Sequence, residues 1–296
     1  MRLALLLVLS VIAAGCAAPP GPDVPAAAPA AVLAAPCDDA RAALAHLGNG
    51  TFGLAPAAMC VFGTKLVGSE NTLGICRKTG AVYAGMAFSG NIGGLARSLD
   101  GGASWEYVEP ALAGQKPHAT TLDPYVYVDP VTCRVFLDNL LTVNCSLLSW
   151  SDDAGETWSH SAAGCGEFDH QSLFAGPPVR SATVGYPHVV YRCAIHAVAL
   201  AGASTSTTCQ RSLDGGLTWL PPGAPAYGPN PFGRGHNGVM GACDGAAGHG
   251  IVDAQGRVYL PKGWCGQPWL AWSDDEGLTW TRAQVAGLGM AAGADG

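Results

Sequence analysis

One octet, S-x-D-x-G-x-[ST]-W, occurs four times in the 296-residue sequence: SLDGGASW at 98–105, SDDAGETW at 151–158, SLDGGLTW at 212–219 and SDDEGLTW at 273–280. The box serines are 53, 61 and 61 residues apart. A near-constant period of that size marks a chain built from repeated supersecondary units that bury their apolar faces only by stacking on one another. Upstream of the boxes stand GAVYAGMAF, CRVFLDNLL, HVVYRCAI and GRVYLPKGW, all rich in β-branched and aromatic residues. Strand-like segments also abut each box on both sides, and a further candidate such as PYVYVDP or QSLFAGPP precedes the unit. No amphipathic helical pattern intervenes. Each unit therefore reads as four short strands, and the chain is predicted to be an all-β propeller of four-stranded blades.

The composition of the box fits a hairpin turn. Its aspartate can accept hydrogen bonds from nearby backbone N–H groups, glycine supplies the positive φ of the turn, and the serine or threonine hydroxyl ties the ends. The tryptophans, Trp105, Trp158, Trp219 and Trp280, then open the next strand with a large ring suited to a gap at the blade edge. A fourfold scaffold needs four identical turns, whereas catalysis rarely needs four identical stations. The alternative is a set of four calcium or ligand loops.

Over residues 67–285 the octets resemble the Asp-box, or BNR, repeat of sialidases and related secreted propellers. The resemblance implies boxes at the blade periphery, away from the active site, and a six-bladed ring. Four visible boxes then read as a fragment of that ring, C-terminally incomplete, or as a ring in which residues 37–66 supply a blade without a box. It also implies a substrate carboxylate held by three arginines, a tyrosine nucleophile activated by a glutamate, and an aspartate acid/base. The F/Y-R-I-P tetrapeptide that carries the first arginine is absent here; the nearest arginines, Arg77 and Arg97, lack its surroundings. Two functions follow: a non-catalytic propeller that recognises extracellular glycan or another surface ligand at its channel mouth, or an exo-α-sialidase or other glycoside hydrolase or lyase.

Polar residues at the starts of innermost strands converge on a propeller's central channel. The candidates are Glu70 in GSENTLG, His118 and Asp123 ahead of PYVYVDP, Glu167, Asp169, His170 and Gln171 in GEFDHQSL, and Asp244 and His249 in CDGAAGHGIV. Arg192, inside HVVYRCAI, is the arginine a sheet would hold in place; its plain alternative is a solvent-facing position on a blade. The predicted catalytic set is Asp169, His170, Asp123, Glu70 and Arg192, with solvated strand-start residues as the alternative. Such a mouth could hold a divalent cation such as calcium, or supply an acid/base pair; no cofactor is required. His236 lies in a Gly-rich loop, and Trp264 could stack on a sugar or pack between blades.

The remaining features concern location. The first 16 residues, MRLALLLVLSVIAAGC, read as an export signal whose end resembles a bacterial lipobox, with Cys16 the lipidated residue and sole membrane link of a cell-envelope lipoprotein; the alternative is plain secretion to the outside after ordinary signal cleavage. The Ala/Pro-rich stretch 17–36 reads as a tether, and 37–296 as the propeller. Ten further cysteines are expected to form disulfides in an exported chain, with Cys133–Cys145 and Cys193–Cys209 as the expected pairs. A net charge of −7 with 12% charged residues offers no basic stripe for nucleic acid.

Overall fold

The computed structural model describes residues 68–88, 92–108, 124–141, 145–166, 168–198, 203–228, 247–264 and 267–286, all within the unit that begins at Ala35. Strands account for all the regular secondary structure of these residues. Blade I is β1 (Ser69–Ile75), β2 (Val82–Phe88), β3 (Ile92–Ser98) and β4 (Glu106–Tyr107), and blade II is β5 (Tyr125–Val128), β6 (Val135–Leu141), β7 (Cys145–Ser151) and β8 (Ser159–Cys165). Blade III is β9 (Phe168–Gly176), β10 (Val189–Val198) and β11 (Ala203–Ser212), and blade IV is β12 (Ile251–Val252), β13 (Val258–Trp264), β14 (Gln267–Ser273) and β15 (Thr281–Gln284). Every sheet is an antiparallel meander in chain order. In blade III the outermost position is held only by the isolated bridges Arg211↔Leu220 and Thr207↔Tyr227. Pro221 and Pro222 fall between them, and a proline has no N–H to give to a ladder.

The first strands β1, β5, β9 and β12 lie next to one another along the inner edge of the blades. They approach so closely that a Cβ at Gly74 would stand 2.6 Å from Val128 Cγ2, and one at Gly176 would stand 2.4 Å from Val252 Cβ. Glycine is needed at both positions for lack of space. The core consists of the layers between consecutive blades. Tyr83 and Leu95 of blade I meet Val126, Val135 and Leu137 of blade II. Phe136, Leu148 and Trp150 of blade II meet Leu173 and Val190 of blade III, and Phe174 and Tyr191 of blade III meet Val258 and Leu260 of blade IV. Central strands are thus buried on both faces, which is why β6 is apolar at every position but the buried Asp138 and Asn139.

All four boxes share one hydrogen-bond pattern. The serine hydroxyl donates to the aspartate Oδ1 at 2.7–2.8 Å and accepts from the N–H of the box glycine at 2.7–2.8 Å. The serine or threonine four residues beyond the aspartate donates its N–H to Oδ1 and, at 2.6 Å, its hydroxyl to Oδ2. The turn's first left-handed residue is glycine in only two boxes; the others place Ala154 (φ 61°) and Glu276 (φ 60°) there. At Glu276 the side chain reaches blade III, where its carboxylate accepts the N–H groups of Val179, Arg180 and Ser181 at 2.8–2.9 Å and the Ser181 hydroxyl.

Arginines fasten each blade to the next box. Arg97 donates to Ala154 O and to Glu156, both at 2.7 Å, and Arg134 donates to Gly215 O at 2.9 Å. Arg211 lies 4.0 Å from the Glu276 carboxylate. Arg134 also forms a two-pronged pair with Asp152, and Arg257 pairs with Asp274, so the extra aspartate of the two S-D-D boxes is a partner within its own blade.

The six described half-cystines form Cys76–Cys133, Cys145–Cys165 and Cys193–Cys209. The expected Cys193–Cys209 bridge is present between directly opposed positions of β10 and β11. The expected Cys133–Cys145 bridge is not: those residues flank opposite ends of β6, so Cys133 instead joins Cys76 across the junction of blades I and II.

Two predictions follow from these junctions. Asp138 and Arg192, 0% and 1% exposed at the side chain, pair at 2.7 Å between blades II and III. Asp138→Ala leaves a guanidinium buried without its counter-ion and is expected to cost about 3–5 kcal/mol in urea unfolding. Asp152→Ala, which breaks an exposed pair, is expected to cost less than about 1 kcal/mol. Equal losses in the two variants would show that burial does not set the strength of these junctions.

The second concerns acid. Burial opposes ionisation of Asp129, Asp153, Asp214, Asp275 and Glu276, but hydrogen bonds outweigh it and hold all five carboxyls below their ordinary range. Groups lowered on folding contribute stability that is complete above their unfolded pKa, about 4, and is lost as pH falls through the folded values. The urea midpoint should therefore hold from neutral pH down to about 5 and drop below about 4. A midpoint that rises on acidification through that window would contradict this account.

Candidate functional site

The inner strands of all four blades begin at one cleft, lined by Glu70, Thr72, Pro124, Tyr125, His170, Gln171, Ala247 and His249. It encloses about 400 Å³ including its open mouth. Two of these residues have left-handed backbones without being glycine: Glu70 at φ 52° and His170 at φ 47°. Both sit at irregularities of their strands, where the register slips between Ser69 and Thr72 on β1 and, opposite β9, between Cys193 and Ile195 on β10. A bulge breaks the strict alternation of the pleat and re-aims a side chain, here bringing Glu70 and His170 into the lining of the cleft. Strain of this kind concentrates at functional sites.

Each bulge is followed two residues later by a hydroxyl that ties neighbouring inner strands. Thr72 Oγ1 donates to Pro124 O at 3.1 Å and accepts the Val126 N–H at 2.9 Å, joining β1 to β5. Ser172 Oγ accepts the Gly250 N–H at 2.9 Å, joining β9 to the approach to β12, and it also contacts the Tyr125 phenol. Tyr125 meets the His249 ring edge-on with 5.0 Å between centroids. Burial pushes the Tyr125 phenol above its ordinary pKa, and the Ser172 contact offsets only part of that. The phenol is therefore a neutral hydrogen-bonding group at physiological pH. Among the described residues the cleft offers a ligand one carboxylate, two imidazoles, a phenol and an aromatic edge.

Of the predicted set, the fold brings Glu70 and His170 together, along with Gln171 and His249. Asp169 lies on β9 opposite Ile195, next to the His170 bulge, with its side chain outside the described residues. Asp123, His118, Glu167, His236 and Asp244 also lie outside the described residues, as does the side chain of Trp264. Arg192 faces neither solvent nor the cleft; it is committed to Asp138 inside the blade II/III junction, where Ser146 also donates to Asp138. No group of three or more His, Cys, Asp or Glu side chains able to hold a metal occurs among the described residues.

Sequence reasoning missed Tyr125, Thr72 and Ser172. A signal for two of them is present: Glu70-Asn71-Thr72-Leu73 and His170-Gln171-Ser172-Leu173 match position by position as ionisable, amide, hydroxyl and leucine. Tyr125 reads in sequence only as one more strand aromatic, because nothing local marks it as the first residue of an inner strand.

No protein-family model matches the chain, and no curated protein matches it. Among solved structures it is similar to an α-L-arabinofuranosidase from Fusarium graminearum in complex with an iminosugar inhibitor, at 13% identity and a TM-score of 0.47 over 73% of this chain and 66% of that one. A second is the Aleuria aurantia lectin in complex with α-methyl-L-fucoside, at 12% identity and a TM-score of 0.47 over 74% and 65%. A third is a Penicillium chrysogenum α-L-arabinanase complexed with arabinobiose, at 12% identity and a TM-score of 0.44 over 69% and 63%. The chain thus spans slightly less than two thirds of the length of each of these structures.

Proposed function

We propose that this protein is an exported, lipid-anchored propeller that recognises a glycan at the mouth of its central channel. The observation that carries the reading is the convergence of four inner strands on one open, polar cleft with an aromatic edge, two of whose side chains are held there at the cost of left-handed backbone. Carbohydrate recognition needs that combination: hydrogen-bonding groups of several kinds around a ring edge against which a sugar face can lie. The anchor rests on the lipobox-like end at Cys16, and metabolic labelling with a tritiated fatty acid, lost in Cys16→Ala, would test it.

The strain at Glu70 and His170 supports a second reading, hydrolysis of the bound glycan, since a carboxylate and an imidazole are the commonest groups for proton transfer. Calorimetric titration with sialyllactose, arabinobiose, methyl α-L-fucoside and N,N′-diacetylchitobiose tests binding, and the matching fluorogenic glycosides test turnover. His170→Gly relieves about 1 kcal/mol of left-handed strain and gives back a similar amount in chain entropy. It is expected to unfold within about 1 kcal/mol of the parent while weakening the best ligand about tenfold or more. Unchanged affinity in this variant, or no binding by the folded parent to any glycan, would overturn the assignment of the site.

A further inference from the structure

The cleft's charge separates classes of sugar. Glu70 is exposed there and makes no ion pair or hydrogen bond with any described residue. Its companions, His170, His249 and Tyr125, bring two imidazoles and a phenol, and none of them is a second carboxylate. Among the described residues no guanidinium or ammonium group lines the cleft. The described cations are committed elsewhere: Arg97, Arg134, Arg192 and Arg211 sit at the blade junctions, Arg257 pairs with Asp274, and Arg282 donates to the carbonyls of Pro225 and Ala226. Lys262 is buried against Thr207. Arg77 and Lys78 follow the far end of β1 from Glu70, and Arg180 follows the far end of β9 from His170. A carboxylate sugar would meet the Glu70 charge there, and an amine would find it a partner.

Resting on the glycan-binding reading above, we propose that the cleft selects a sugar bearing a free, protonated amine over its N-acetylated or carboxylated counterparts, with Glu70 the selecting residue. The Tyr125–His249 edge supplies the aromatic contact common to all three. Because Glu70 is exposed, the selectivity it confers is modest: about three- to fivefold between amine and N-acetyl forms, the range for a solvent-accessible ion pair.

The test titrates the full-length protein with N,N′-diacetylchitobiose, its fully deacetylated counterpart and digalacturonic acid at neutral pH. The expected order is amine, then N-acetyl, then carboxylate. Glu70→Gln keeps the side-chain shape and should bring the amine form down to the N-acetyl form. Raising salt to about 1 M, where charges are screened within about 3 Å, should do the same to the parent without any substitution. Equal affinity for amine and N-acetyl forms, or tightest binding of the digalacturonate, would overturn the selectivity while leaving glycan binding intact. Binding of none of the three, nor of the neutral sugars tested above, would overturn both.

Discussion

The fourth position of boxes II, III and IV is where one blade takes hold of another. In box II its backbone carbonyl, Ala154 O, accepts Arg97 of blade I, and in box III the equivalent Gly215 O accepts Arg134 of blade II. In box IV the same position is Glu276, whose side chain instead gathers three backbone N–H groups from blade III. The second box glycine faces the same junction: a Cβ at Gly216 would touch Leu148 and Phe136 of blade II. Each turn is thus closed internally by Ser, Asp and a Ser or Thr, and those of boxes II, III and IV are fastened externally by the preceding blade. A blade cut free would keep its hairpins and lose its core, since the large buried side chains lie in layers shared by two sheets.

That construction gives the cleft a rigid floor. The inner strands are held apart by little more than a hydrogen atom at Gly74 and Gly176, and Thr72 and Ser172 bridge them by hydroxyl. Tyr125 is the first residue of β5, pairs with Asp138 on β6, and touches Ser172. The buried Arg192–Asp138 pair therefore lies one strand behind the phenol, and its effect on the site is to fix the distance between blades II and III. Sequence offers Arg192 as a sheet-held arginine of the site or as a solvent-facing one, and the structure uses it as mortar instead.

What could be read from sequence followed from local chemistry. The octets dictated the turns, since Ser, Asp, Gly and Thr at those spacings satisfy one another within eight residues, and the flanking apolar runs placed the strands. Pairings that depend on stacking were not legible. Cys133 and Cys145 are close in sequence, yet Cys133 sits before β6 and Cys145 at the start of β7, on opposite ends of one hairpin. Its actual partner, Cys76, is 57 residues away and belongs to another blade. The cleft was half legible: Glu70, His170 and His249 were found as polar residues at strand starts, whereas Tyr125 gains its role only from where blade II is placed.

The left-handed residues carry this logic one step further. A left-handed backbone favours glycine by about 1 kcal/mol or more, so a side chain retained there bears a cost. Five described non-glycine residues have positive φ. Cys133 spends the position on a disulfide between blades, and Glu276 on the clamp to blade III. Ala154 has only a methyl group to contribute. The other two are Glu70 and His170, which occupy equivalent places in the matched segments E-N-T-L and H-Q-S-L of blades I and III. In both, the hydroxyl two residues on makes the same kind of tie to the next inner strand. The repeat has kept the scaffold of this bulge and changed the ionisable group it presents, a carboxylate on one blade and an imidazole on the other. The two bulges thus aim two different ionisable groups into one cleft, which suits an asymmetric ligand.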